Sequence, residues 1–257
     1  ALDLANCDLG VAELAELAQA ISTGATVEAV AIGANPIGSE GGATLLEAVK
    51  TSKLKTIDIG KPLPLQEPYE SDTLDMSNTQ MDQGHVLLLS WWLGTEFSAV
   101  VETIAIGANP ITSEGGATLL ETIKTSKLKT IDIGKPLPLQ QPYESDNLDL
   151  SDTKMDPGHV LLLSWWLTTE FSAALTSMNC LNNPLEEGIH TIIKIFEETP
   201  RIRTLCGLEE GAKQIDWSDS GKGPADVALL AAEVKAGRAV AVVTSINCLA
   251  NQFGDDD

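Results

Sequence analysis

The sequence predicts an α/β solenoid, with one parallel sheet of about eleven short strands lining a concave side and helices on two of every three coils. Three observations lead there. An apolar rhythm of the form LxxLxLxxNxL opens the segments 27–37, 101–111 and 175–185. Residues 27–99 and 101–173 match at an offset of 74 with twelve differences, and the core changes among them are conservative, such as Val30 to Ile104 and Met76 to Leu150. The stretches that follow each rhythm are of two kinds, one with helical apolar spacing and one rich in proline.

The elements follow in chain order. A lone strand pattern opens the chain at 2–9, with Cys7 in the slot that Asn35 holds later. The next coil centres on Val30; Ser39 is positioned to cap its helix, and Gly42, Leu45, Leu46 and Val49 recur at helical spacing. The coil centred on Ile57 returns through Pro62, Pro64 and Pro68, which remove donors and favour an extended or polyproline-like arc whose leucines plug the core. The coil centred on Leu74 has Val86, Leu89 and Leu93 on one helical stripe. Ile104, Ile131 and Leu148 repeat these centres, and Met178, Leu205 and Ile215 mark a degenerate third copy at 175–248 whose middle return shrinks to 207–213. A final strand pattern spans 243–253. The whole, 1–257, reads as a single repeat domain, either a piece of a longer stack or one whose ends neighbouring protein covers.

A net charge of −21 argues against nucleic acid or an anionic membrane as partner, because phosphates need a cationic face. It favours another protein with a basic surface, although acidity also serves solubility alone. Cys180 and Cys248 stand in apolar slots, Cys7 in an asparagine slot and Cys206 in mid-strand; scattered in this way they read as reduced thiols. With no signal-peptide pattern and no membrane-length apolar run, the expected setting is intracellular and cytoplasmic.

The segment 27–49, VEAVAIGANPIGSEGGATLLEAV, resembles the ribonuclease-inhibitor-like class of intracellular leucine-rich repeat proteins, as do Cys7, Thr79 and Thr153 in the asparagine slot. The tail, through 203–207, 215–219 and 246–251, is similar to repeat proteins of unicellular algae. The class resemblance covers essentially the whole chain. It implies a leucine-rich repeat solenoid with a protein-binding or scaffolding role and no cofactor. Pro62 and Pro136 in the asparagine slot depart from the pattern, so the convex side is expected to be notched at each proline-rich coil.

Within the rhythm, the residue between the second and third apolar slots faces the open surface. Along the chain this slot holds Asp3, Ala31, Asp58, Asp75, Ala105, Asp132, Asp149, Asn179, Cys206, Asp216 and Asn247. Asp58 beside Asp75, and Asp132 beside Asp149, are expected on adjacent strands about 5 Å apart. Together with Asp216 and the preceding Thr56 and Thr130 they form a candidate acidic track for lysine or arginine on a partner; the competing reading is a solvated face partly neutralised by Lys55 and Lys129.

Trp91 and Trp165 are the second candidates, either as outward binding anchors or as covers for the neighbouring notch, with Trp92 on the apolar flank. Chemistry is poorly served. His85, His159 and His190 lack metal-ligand spacing, and Cys206, with Arg203 on the same strand, lacks a histidine partner. Arg201, Arg203 and Arg238 mark a local electropositive spot. No metal and no catalytic residue is expected. The function read from sequence is a binding or scaffold module; the alternatives are a regulator of a partner enzyme such as a GTPase or nuclease, and a structural subunit of a larger complex.

Overall fold

The computed structural model describes residues 1–23 and 26–251, so positions 252 and 253 of the last expected strand pattern lie outside the described residues. The chain divides into two compact units, Ala1–Leu139 and Gln140–Asp257. The first contains β1 (Leu2–Asp3), α1 (Val11–Ser22), β2 (Ala29–Ala31), α2 (Gly38–Thr51), β3 (Thr56–Asp58), β4 (Pro62–Pro64), β5 (Thr73–Asp75), α3 (Gln83–Leu93), β6 (Thr103–Ala105), α4 (Thr112–Thr125), β7 (Thr130–Asp132) and β8 (Pro136–Pro138). The second contains β9 (Asn147–Asp149), α5 (Pro157–Leu167), β10 (Ser177–Asn179), α6 (Gly188–Glu198), β11 (Gln214–Asp216), α7 (Pro224–Ala236) and β12 (Ser245–Asn247).

This overturns the expected leucine-rich repeat solenoid with its single parallel sheet of about eleven strands. The strands form four small sheets instead, β1-β2-β3-β4, β5-β6-β7-β8, β10-β9 and β11-β12. The cause lies in the prolines. β1, β2 and β3 run parallel, but β4 folds back antiparallel on β3, with Thr56 opposite Pro64 and Asp58 opposite Pro62. Flanking bonds run from Leu65 N–H to the Lys55 carbonyl at 2.7 Å and from Ile59 N–H to the Lys61 carbonyl at 3.3 Å. Bonded and non-bonded pairs alternate along such a ladder, so both prolines occupy non-bonded positions, where a donor would have pointed to the free edge. That edge is stripped of two donors and the sheet ends there. Pro136 and Pro138 do the same opposite Asp132 and Thr130. Gly60, at φ 116°, makes the tight turn between β3 and β4.

The expected proline-rich arc is therefore an edge strand, and its central Leu63 and Leu137 are fully buried. One expected centre, Leu205, forms no strand; only isolated bridges at Thr204 and Cys206 tie its segment to β10.

In the first unit α1, α2, α3 and α4 pack in succession. Their buried stripes include Leu14 and Leu17 of α1, Leu45, Leu46 and Val49 of α2, and Val86, Leu89 and Trp92 of α3. A Cβ on Gly42 would overlap the backbone of Gly84, so these glycines set the α2–α3 approach. Ser39 does not cap α2. Its first N–H, that of Gly38, is taken at 2.8 Å by Asp82 Oδ2, while Asp82 Oδ1 accepts from Gly84 N–H and His85 N–H of α3. One carboxylate thus caps two helices.

Four asparagines join successive turns. Asn109 Oδ1 accepts from Thr79 N–H (2.9 Å) and Met81 N–H (3.0 Å), and its Nδ2 donates to the Met76 and Ile106 carbonyls, both at 2.8 Å. Asn35, Asn183 and Asn251 bridge turns in the same way. These amides satisfy backbone groups that the turns leave behind.

In the second unit α5 packs on α6 and α6 on α7. Arginines close the helix ends. Arg201 donates to the Leu167 carbonyl at 2.9 Å and to the Ser172 hydroxyl at 2.6 Å. Arg238 lies over the Phe196 ring and donates to the Phe196 and Ile202 carbonyls. The third, Arg203, pairs with Glu210 at 2.6 Å. The expected electropositive spot is thus spent on carbonyls and one carboxylate.

Candidate functional site

Each three-residue strand of the parallel sets except β12, whose central Ile246 is exposed, buries its central side chain and turns its first and third outward, as the two-residue period of a strand requires. The register aligns the outward residues into rows. Asp3 lies opposite Ala31 and Ala31 opposite Asp58; in the second sheet Asp75 lies opposite Ala105 and Ala105 opposite Asp132. Two Asp–Ala–Asp rows result, both in the first unit. At two strand spacings the carboxylates of a row are about 10 Å apart, with a methyl group on the floor between them. Beside the second row runs a threonine row, Thr73, Thr103 and Thr130.

The expected Asp58–Asp75 neighbours are not neighbours. β4 occupies the edge of β3, so Asp58 faces Pro62, and Asp75 begins another sheet. Asp132 likewise faces Pro136. In the second unit Asp149 is aligned with Asn179, and Asp216 with Asn247, whose amide donates to it at 3.0 Å. Sequence reasoning reads Asp3 in the same slot but pairs Asp58 with the wrong neighbour; only the order of the sheet brings Asp3 and Asp58 to one row.

The first row lines an open groove of about 460 Å³ with Asp3, Ala31, Gly33, Asp58, Gly60 and Thr79 on its walls. In every one of these aspartates Oδ1 accepts a backbone N–H two residues on. The donors are Ala5, Gly60, Ser77, Gly134, Ser151 and Ser218, at 2.7 to 3.1 Å. Such turns hold the carboxylates in place. The Ser77 backbone and hydroxyl hold Asp75 below the usual carboxylate range, and Ser218 does the same for Asp216.

Lys55 and Lys129 do not neutralise the rows. They pair with Glu28 at 2.8 Å and Glu102 at 2.6 Å. None of the ion pairs among the described residues includes Asp3, Asp58, Asp75 or Asp132. Thr56 and Thr130 are half-buried at the other end of their strands.

The tryptophan expectation changes hands. Trp92, fully buried, packs edge-on against Tyr69 with ring centroids 5.6 Å apart and donates its indole N–H to the Pro64 carbonyl at 2.7 Å. Trp166 meets Tyr143 in the same geometry at 5.5 Å. Trp91 and Trp165 are the half-buried members of each pair and stay at the helix surface.

Cys206 is buried, contrary to the exposed position expected, and burial together with Glu233 pushes its thiol far up. Burial and then Asp149 push Cys180 up to about 12. His85 and His159 are fully buried and pair with Asp82 at 2.8 Å and Asp156 at 2.7 Å. Among the described residues no group of three or more histidine, cysteine, aspartate or glutamate side chains is placed to hold a metal ion, and no helix is long and apolar enough to cross a membrane. Glu233, on α7, is a buried carboxyl that sequence reasoning missed; the signal was an acid in the slot of Trp92 and Trp166.

Compared with protein-family models and with curated proteins, the chain matches none.

Proposed function

We propose that this chain is a protein-binding module whose first unit captures a basic segment of another protein on its two Asp–Ala–Asp rows. The observation that carries the reading is the register itself: twice, two carboxylates flank an alanine, and none of the ion pairs among the described residues includes them, Lys61 acting on Asp75 only as a nearby charge. A lysine or arginine stem laid over the alanine sets its charged end between two acids, and its methylenes cover the methyl floor. Each exposed contact of this kind stabilises by about 0.2–1 kcal/mol, so useful affinity requires several at once and falls with salt. The net charge of −21 adds long-range attraction and a faster encounter. Four unpaired cysteines, two of them buried, support work in a reducing compartment.

The test is binding of a fluorescent lysine-rich peptide by anisotropy, at low and at physiological salt. Changing Asp3, Asp58, Asp75 and Asp132 to Asn together is expected to weaken binding at least tenfold at low salt, with a smaller loss at high salt. Undiminished binding by a folded quadruple variant removes the reading.

A further inference from the structure

α3, α5 and α7 begin after Asp82, Asp156 and Gly223. Counting ten residues from each places Glu233 where Trp92 and Trp166 stand in the first two copies. The swap follows from the missing hairpin. In the first copy β4 pairs along β3, and Trp92 donates to the carbonyl of Pro64. In the third copy no proline strand pairs with 204–206, and its donors need an acceptor. Glu233 Oε2 supplies one, accepting from Leu205 N–H (3.0 Å), Cys206 N–H (3.1 Å) and the Thr204 hydroxyl (3.0 Å). Thr204 Oγ1 in turn accepts from Leu208 N–H at 3.0 Å, so the hold extends to residue 208.

Glu233 is fully buried and its second oxygen, Oε1, has no partner. The charged and titratable groups that act on the neighbouring Cys206 thiol are Glu233 itself, the Cys180 thiol and Asp226 of α7, all of them acidic. We propose that Glu233 is a pH-sensitive latch: with the proton on Oε1 it holds 204–208 closed, and on ionisation it loosens that segment and uncovers Cys206.

The sign follows from burial. Burial pushes the Glu233 carboxyl above the ordinary glutamate value, against the opposing hydrogen bonds from Leu205, Thr204 and Cys206. A group with a raised folded-state pKa costs nothing below its unfolded value, and the cost grows as pH rises toward the folded value and stays constant beyond it. The latch is therefore tight in acid and slack at higher pH. The latched segment forms one wall of an open groove of about 310 Å³, together with Asn147, Ser177 and Arg203.

The test uses the full chain. Iodoacetamide labelling of Cys206 is followed by mass spectrometry at a series of pH values, in the native sequence and in Glu233→Gln, which keeps an acceptor and removes the charge. The ratio of native to variant labelling rates is expected near one in acid and severalfold higher above the folded-state pKa. A ratio constant across pH overturns the proposal. Should Glu233→Gln fail to fold, the carboxyl carbon-13 titration of Glu233 in the native chain decides: a midpoint above that of free glutamate supports the latch, and one at or below it overturns it.

Discussion

Trp92 Nε1 lies 2.7 Å from the Pro64 carbonyl oxygen, so the helix of one repeat is fastened to the proline edge strand of the preceding return. The same indole packs against Tyr69 and is sealed from solvent. One side chain thus covers the place where a helix is missing and satisfies a carbonyl of the strand that ends the sheet.

Trp92 and Trp91 should therefore separate cleanly in urea denaturation. Trp92→Phe keeps most of the volume but strands the Pro64 carbonyl, at a cost of about 1–3 kcal/mol. Trp92→Ala adds a cavity and is expected to cost about 3–5 kcal/mol. Trp91→Ala, at the half-buried neighbour, is expected to cost under about 1 kcal/mol. Equal costs for the two alanine variants would contradict this packing.

Asn109 makes four hydrogen bonds of 3.0 Å or shorter to the backbone of two turns. Its replacement by alanine leaves two N–H groups and two carbonyls to find other partners, and a loss of roughly 3 kcal/mol or more is expected from equilibrium unfolding. Asn109→Asp should fare little better at neutral pH, since a carboxylate cannot donate to Met76 and Ile106. A variant within experimental error of the native chain would show that water replaces the amide.

Asp82 contributes to the acid limb of stability. Burial alone would raise its pKa, but His85 and the Gly38 N–H outweigh that and hold it below the ordinary 3.8. A lowered folded-state pKa contributes stability that is present above the unfolded value and is lost as pH falls through the folded value. Native protein should thus lose stability on acidification below about pH 4, and Asp82→Asn should show a shallower acid slope. At neutral pH the variant should be less stable by about 1–3 kcal/mol, because Asn offers a weaker cap to two helices. Thermal melting across about pH 2 to 7 reads both; parallel acid slopes would place the effect elsewhere.

Much of this architecture is written in the spacing of particular residues. Asn35, Asn109 and Asn183 recur in one slot because a side chain with both donors and acceptors is needed at each turn. The strand centres and helical stripes follow from apolar periodicity. The direction of Pro62–Pro64 does not, because Pro-Leu-Pro alternation reads the same in a parallel and an antiparallel partner. That single reversal splits the sheet, separates Asp58 from Asp75 and leaves Asp3 and Asp58 as the flanks of a row. Trp91 and Trp92 are adjacent on one helix, and which of them faces the edge strand depends on where that strand lies. Ser39 looked like a cap because local sequence does not reveal Asp82 arriving from 44 residues away.

The most direct measurement compares two charge-matched variants in titrations with a lysine-rich peptide. One changes Asp3, Asp58, Asp75 and Asp132 to Asn, neutralising both rows; the other changes Glu40, Glu47, Glu114 and Glu121 to Gln, on the exposed faces of α2 and α4. If the rows hold the partner, the first variant binds at least tenfold more weakly than the second, although both carry the same net charge. Equal weakening by the two would mean that only the overall acidity of the chain attracts the peptide, and the rows would have no binding role.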